Sequence, residues 1–294
     1  MNHNIPIQHV QKHTRGVSDA KRIEVANLQN HIQELLGDTH HTFLQGSYAN
    51  DTSTSDINDV DIVAIRKNTY SSVHSGVPCV SVVMWETIFS EIERKLRNQN
   101  RYRWSIARSH SGKCLEISTT NLKADVVPAV QVNCDITVDP IVIYCLDTSV
   151  EKINCPRDHK NNGAIKHQQT DQNFKPVVRM FKNWANNHFN NGVVSSYQIE
   201  SLVYGVPNDE FVDDHAASFI LSAKHIGDLL ERRESTIFRI PSVCGVDDVV
   251  ANWNLANRQL FRQKLQESFS HGLLAYRANS DNEALHHWNN AFNI

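Results

Sequence analysis

Gln45-Gly46-Ser47-Tyr48, followed after a polar loop by Asp59-Val60-Asp61-Ile62-Val63-Ala64-Ile65, is the stretch on which the reading of this 294-residue chain turns. The left flank, Thr42-Phe43-Leu44-Gln45, is a short, partly apolar run that leads as a strand into the Gly-Ser turn. A glycine there lets backbone amides approach a phosphate closely, and a serine hydroxyl adds one more donor. On the right, the β-branched and apolar residues after Asp59 predict a strand buried on at least one face. Residues two apart in a strand point to the same side, so Asp59 and Asp61 share a face, with Cβ atoms about 7 Å apart. That separation suits side chains reaching two divalent ions held about 3.5–4 Å apart. A plainer reading makes Asp51, Asp56, Asp59 and Asp61 an acidic surface loop running into a strand edge. Against it, two like charges opening an apolar strand repel and lose hydration unless a cation compensates them.

A third carboxylate lies in Leu122-Lys123-Ala124-Asp125-Val126-Val127-Pro128-Ala129-Val130, where Asp125 is the only acid. Asp forms strands poorly and costs free energy when buried unpaired, which argues for a role at a phosphoryl-transfer site. An exposed ion pair with Lys123, on the same strand face, is the alternative.

Gln45-Gly46-Ser47-Tyr48, Asp59-Val60-Asp61-Ile62-Val63, Ala124-Asp125-Val126-Val127-Pro128-Ala129 and Ser195-Ser196-Tyr197-x-x-Glu200 together resemble the CD-NTase family. These are bacterial relatives of cyclic GMP-AMP synthase within the polymerase-β-like nucleotidyltransferases. The resemblance implies an α+β fold, with a small mixed sheet carrying the three aspartates, a long N-terminal helix and a helical C-terminal lobe. It implies a catalytic core over 1–160 and a helical lobe over 161–294 that completes a nucleotide cleft. Asp59, Asp61 and Asp125 would be the catalytic and metal-binding residues, holding two Mg²⁺ ions. Gln45, Gly46 and Ser47 would contact the nucleotide. The implied reaction joins nucleoside triphosphates into a cyclic di- or trinucleotide with release of pyrophosphate. Its implied setting is bacterial anti-phage (CBASS) signalling, where a downstream effector reads the product. Spacing by itself supports only nucleotidyl transfer. Transfer to an RNA end, a protein or a small molecule, and a catalytically silent nucleotide-binding module, both stay open.

Farther along, Val177, Val178, Phe181, Trp184 and Ala185 recur at helical spacing and make a core-facing stripe. Arg179 and Lys182 lie off its centre, where helix charges are ordinarily solvated; the resemblance instead sets Lys182 on the triphosphate. Ser195-Ser196-Tyr197 opens a further helix carrying Ile199, Leu202, Val203 and Val206 inward, with Pro207 ending it. Serines there are ordinary N-caps. The resemblance adds that Ser196 reaches the phosphates and that Tyr197 stacks on a base, a contact worth about 1–3 kcal/mol. Asn161 and Asn162 are candidate base-reading positions.

The remaining chain suits two lobes. Ser18 caps a long amphipathic segment carrying Ile23, Leu28, Ile32, Leu35 and Leu36, and Gly37 ends it. Strands are expected at 41–45, 60–66, 104–108, 115–119 and 124–130, with a helical stretch near 84–98. From about residue 160 the pattern is helical. Phe219, Ile220, Ala223, Ile226 and Leu230 mark one helix and Leu260, Phe261, Leu265 and Phe269 another, and Ser280 with Glu283 predicts a capping box before Leu285, Trp288 and Phe292.

At 40% hydrophobic, the chain has enough apolar residues for a substantial core. No apolar run has signal-peptide or membrane-spanning length, so a cytoplasmic protein without a membrane partner is expected. Cys79, Cys114, Cys134, Cys145, Cys155 and Cys244 contain no Cys-x-x-Cys pair, and Cys145, Cys155 and His159 are poorly spaced for zinc, predicting reduced thiols and a surface histidine. His40-His41 and His286-His287 lack the spacing of a helical metal pair and are expected to face solvent. Lys and Arg total 29 against 32 Asp and Glu, a net charge of −3. Without a dense basic run, duplex-DNA activation is disfavoured against constitutive activity or control by protein partners. Arg94, Lys95, Arg97, Arg101 and Arg103 read as a solvated face.

Overall fold

The computed structural model describes residues 4–55, 59–74, 83–98, 104–189 and 192–294. Asp56, Cys79, Arg101 and Arg103 lie outside the described residues. In chain order the elements are α1 (Ile7–Thr14), α2 (Asp19–Leu36), β1 (His40–Gln45), α3 (Gly46–Ala49), β2 (Asp59–Tyr70), α4 (Trp85–Arg97), β3 (Ser105–Arg108), β4 (Leu115–Ser118), β5 (Lys123–Gln131), β6 (Ile141–Cys145) and β7 (Val150–Asn154). Then follow α5 (Pro156–Gln169), α6 (Phe174–His188), α7 (Ser196–Tyr204), α8 (His215–Ser235), α9 (Leu255–Arg277) and α10 (Asp281–Phe292). The chain divides into two compact units. One comprises Val17–Asn50 and Asp56–Lys160; the other comprises Met1–Gly16, Asp51–Ser55 and Asn161–Ile294.

The first unit is a mixed sheet with helices. Its strands run in the order β1-β2-β5-β4-β3, with β6 pairing β5 and β7 pairing β6. β2 and β5 are parallel, joined through the crossover helix α4, and the other pairings are antiparallel. Ser18 caps α2 by accepting from the Lys21 amide, and Gly37 at φ 63° ends it. The inward stripe of α2 is Val25, Leu28, Ile32 and Leu36; Ile23, expected in it, is 64% exposed because it falls on the other side of the helix. That stripe and Ile88, Ile92 and Leu96 of α4 cover Val60, Ile62, Ala64, Ala124 and Val126. Val63, Ile65 and Ala129 pack with Ile141 in a separate cluster. By alternation, Asp59, Asp61 and Asp125 belong to this second face, away from α2 and α4.

β6 and β7 were not anticipated. Ile141-Val142-Ile143-Tyr144-Cys145 is a short apolar run, and Val150-Glu151-Lys152-Ile153-Asn154 is polar and largely exposed. His40 and His159 are buried, not solvent-facing. The His40 ring, beneath the end of α2, meets Thr39 Oγ1 at 2.9 Å, and burial pushes its pKa down to about 4.

The second unit is helical. Val177, Val178, Phe181, Trp184 and Ala185 of α6 are buried, as their spacing predicts, and they share one cluster with Ile199, Leu202 and Val203 of α7 and Phe219, Ala223 and Leu230 of α8. On α9, Phe261 and Leu265 turn inward while Leu260 is 39% exposed, a one-residue rotation of the expected stripe. Ser280 accepts from the Glu283 amide, but the Glu283 carboxylate accepts from Asn279 rather than from the cap, so the box is not closed. Among the described residues no helix is long and apolar enough to cross a membrane.

Candidate active site

Strand register assembles the acidic site within the sheet unit. Across the parallel pair, Asp61 lies directly beside Asp125 and Asp59 beside Lys123. Across the flanking antiparallel pairs, Gln45 lies beside Asp61 and Glu116 beside Asp125. Directly paired residues share a sheet face, so Gln45, Asp61, Asp125 and Glu116 form a row across β1, β2, β5 and β4. Asp59 stands on the same face, one pleat before Asp61.

Such a row is electrostatically costly. Burial, then the charges of Asp125 and Asp59, push the Asp61 carboxyl up to about 6. Burial also raises Asp125, helped by Glu116 and Asp59 and opposed by a hydrogen bond from the Cys114 thiol. That thiol is itself held protonated, its pKa pushed up to about 12 mainly by burial. The charged groups that move Asp61 are both carboxylates, leaving a negative site for a cation to compensate.

The Gly-Ser turn abuts this row. Gly46 sits at φ 70°, and a Cβ placed on it would collide with Asp61 Oδ2. Both the backbone conformation and the close approach therefore require glycine at this position. Ser47, half-buried, follows in the short α3, where the Asn50 amide donates to Gly46 O at 3.1 Å. Gln45 Oε1 accepts from Asn154 Nδ2 at 3.1 Å, tying the turn's entrance to the end of β7.

Hard carboxylate oxygens in this arrangement suit Mg²⁺. Among the described residues no three His, Cys, Asp or Glu side chains form a protein-only ligand cluster.

The helical unit holds the other expected site residues. Lys182, expected to be solvated from its helical position and to contact the triphosphate from the family resemblance, is 5% exposed and pairs with Glu200 Oε1 at 2.5 Å. It also donates to Thr52 Oγ1 at 3.1 Å, and Thr52 hydrogen-bonds the same glutamate. Arg179 donates to Thr14 O and Asp51 O, both at 2.6 Å. Ser195 is the N-cap of α7 and closes a capping box with Gln198. Ser196 and Tyr197 thus occupy the exposed first turn, and Tyr197 Oη donates to Asp247 Oδ2 at 2.8 Å. Asn162 Nδ2 donates to Val243 O at 3.0 Å.

Register brings Gln45, Gly46, Asp59, Asp61 and Asp125 together in one unit; Lys182 sits in the core of the other, and Ser196 and Tyr197 at its surface. Glu116, Cys114 and Asn154 were missed. Glu116 had one signal, the alternating run Leu115-Glu116-Ile117, but its partner in the row follows only from pairing.

A mixed sheet bearing this acidic row, together with a helical unit, is the architecture of the polymerase-β-like fold. The chain superposes on the structure of the Rhodothermus marinus CdnE c-UMP-AMP synthase with Apcpp and Upnpp at a TM-score of 0.72, with 22% identity, covering 90% of this chain and 97% of that one. Against Escherichia coli MS115-1 CdnC with ATP the TM-score is 0.73 at 14% identity, covering 99% and 98%. Residues 161–271 match the cGAS/DncV-like nucleotidyltransferase C-terminal helical domain. In sequence, the chain is 31% identical over 193 residues to the cyclic UMP-AMP synthase of Rhodothermus marinus, a match spanning 58% of this chain and 64% of that relative's length. In sequence over its helical unit and in overall fold, the chain is similar to proteins of the CD-NTase family.

Proposed function

We propose that this chain is a Mg²⁺-dependent nucleotidyltransferase that joins nucleoside triphosphates into a cyclic di- or trinucleotide, releasing pyrophosphate. The observation that carries the reading is the in-register placement of Asp61 beside Asp125, with Asp59 on the same face and Gly46 pressed against Asp61. Similarity to cyclic nucleotide synthases, including the Rhodothermus marinus relative, supports the same reaction class.

On this reading Asp59, Asp61 and Asp125 would hold two Mg²⁺ ions, which when bound would supply Lewis acidity and neutralise phosphate charge. Gln45, Gly46 and Ser47 form the turn that grips phosphate, with amides and a hydroxyl as donors. Lys182 and Ser196 serve the triphosphate, and Tyr197 stacks on a base. Lys182 reaches phosphate only by loosening its bond to Glu200, so its contribution is coupled to that pair. The catalytic core is 1–160 and the helical lobe 161–294, with Asp51–Ser55 and the N-terminal segment packing in the helical unit. The reaction belongs in the cytoplasm, within anti-phage signalling controlled by protein partners and read by a downstream effector.

The test is incubation with radiolabelled ATP, GTP, CTP and UTP and Mg²⁺, followed by phosphatase. A small phosphatase-resistant product is expected, and its loss in Asp59→Asn/Asp61→Asn. A labelled macromolecule would assign the chain to transfer onto another acceptor, and absence of turnover would make it a binding module.

A further inference from the structure

Tyr197 is fixed at both ends. Its backbone lies in the first turn of α7, locked by the Ser195–Gln198 capping box, and its phenol oxygen donates to Asp247 Oδ2 at 2.8 Å. The Ser242 hydroxyl is bonded to the same phenol, which raises no conflict because a phenol both donates and accepts. Between these anchors the residue is 38% exposed.

The partners of the phenol sit on one closed turn. Ser242 N donates to Asp247 O at 3.0 Å, the Asp247 amide returns to Ser242 Oγ at 3.3 Å, and Pro241 bridges Asp248. Neighbouring helices hold this turn from outside: Asn162 Nδ2 of α5 donates to Val243 O, and Gln198 Nε2 of α7 to Val249 O at 3.2 Å. A turn so fixed presents its carboxylate at a set position. A ring whose orientation is set before binding loses less conformational freedom when a planar ligand stacks on it.

We infer that Asp247 is a positioning residue for nucleotide recognition, acting through the Tyr197 hydroxyl to hold the ring as a preformed stacking surface. The inference rests on the reading of Tyr197 as the base-stacking residue. Asn162 then serves recognition indirectly, by seating the turn that carries Asp247.

Calorimetric titration of the full chain with α,β-methylene analogues of ATP, GTP, CTP and UTP tests this, since these probes report binding without turnover. Tyr197→Phe and Asp247→Ala should each raise Kd for the tightest-bound analogue about 2- to 10-fold, the size expected from ordering one side chain. Combining them should cost no more than either alone, because both delete one hydrogen bond. Asp247→Asn, which still accepts from the phenol, should restore affinity, and melting temperatures should be unchanged throughout. Additive effects, an unaltered Kd in Asp247→Ala, or a loss not rescued by Asp247→Asn would overturn the inference. Tyr197→Ala separates the two layers. If it weakens binding while Asp247→Ala does not, only the positioning role fails; if it has no effect, the stacking role fails and the inference with it.

Discussion

Gly46 and Asp61 constrain each other. The glycine adopts a left-handed φ of 70° and leaves no room for a Cβ beside Asp61 Oδ2. Gly46→Ala should therefore displace the carboxylate as well as strain the backbone by about 1–2 kcal/mol. A displacement near 1 Å at a reacting centre costs about 100-fold in rate. Steady-state kinetics should show kcat/KM down by about that factor with the circular dichroism spectrum retained, and wild-type rates would refute the coupling. Asp61 also makes stability depend on pH. Its carboxyl titrates at about 6 in the fold against 3.8 ordinarily, so the folded chain keeps a proton that the unfolded chain has released. The contribution is intact below about pH 4 and lost as pH rises through 6, a penalty of at most about 3 kcal/mol. In EDTA, Asp61→Asn should raise the melting temperature at pH 8 and lose that gain by pH 4; a pH-independent effect would contradict the assignment. The three aspartates were readable because a period of two puts Asp59 and Asp61 on one face and a lone Asp in an apolar run stands out. Glu116 and the burial of His40 were not, since both depend on which element lies alongside.

Among the elements, α6 and α7 are tied by a pair that helical spacing did not reveal. Lys182 lies off the apolar stripe of α6, yet Glu200 on α7 and Thr52 from the Asp51–Ser55 segment enclose its ammonium. Burial pulls the Lys182 pKa down, and the Glu200 carboxylate beside it opposes that shift. Removing one partner strands a buried charge, which costs about 3–5 kcal/mol. Urea unfolding should show that loss for Lys182→Ala and a much smaller one for Lys182→Met/Glu200→Leu, which removes both charges. If Lys182 also serves the triphosphate, KM stays raised in the double variant although stability returns; a wild-type KM there would make the pair purely structural. Sequence periodicity located α6, α7 and the five central strands, because each carries a stripe or an alternation. It missed β6, too short to separate from a buried loop, and β7, whose five residues bury little apolar surface. It also gave no sign that Asp51–Ser55, lying in sequence between the Gly-Ser turn and Asp59, packs in the helical unit.

For the molecule as a whole, charge decides which activators are compatible with it. The net charge is −3, and three basic residues of α4 and β3, Lys95, Arg97 and Arg108, are paired with carboxylates. Lys95 pairs with Glu91, Arg97 with Glu93, and Arg108 with both Glu86 and Glu93. Duplex binding requires basic groups free to replace counterions along the phosphates, and each of these already has a carboxylate. Exchanging an internal partner for a phosphate gains little, because exposed pairs of either kind are worth about 0–1 kcal/mol. Initial rates of product formation should therefore be the same with and without long duplex DNA, even at low salt, where electrostatic binding is strongest. A several-fold, salt-sensitive rise on adding DNA would mean that these pairs open on contact with phosphate, and charge-reversed Arg97→Glu/Arg108→Glu would then abolish it.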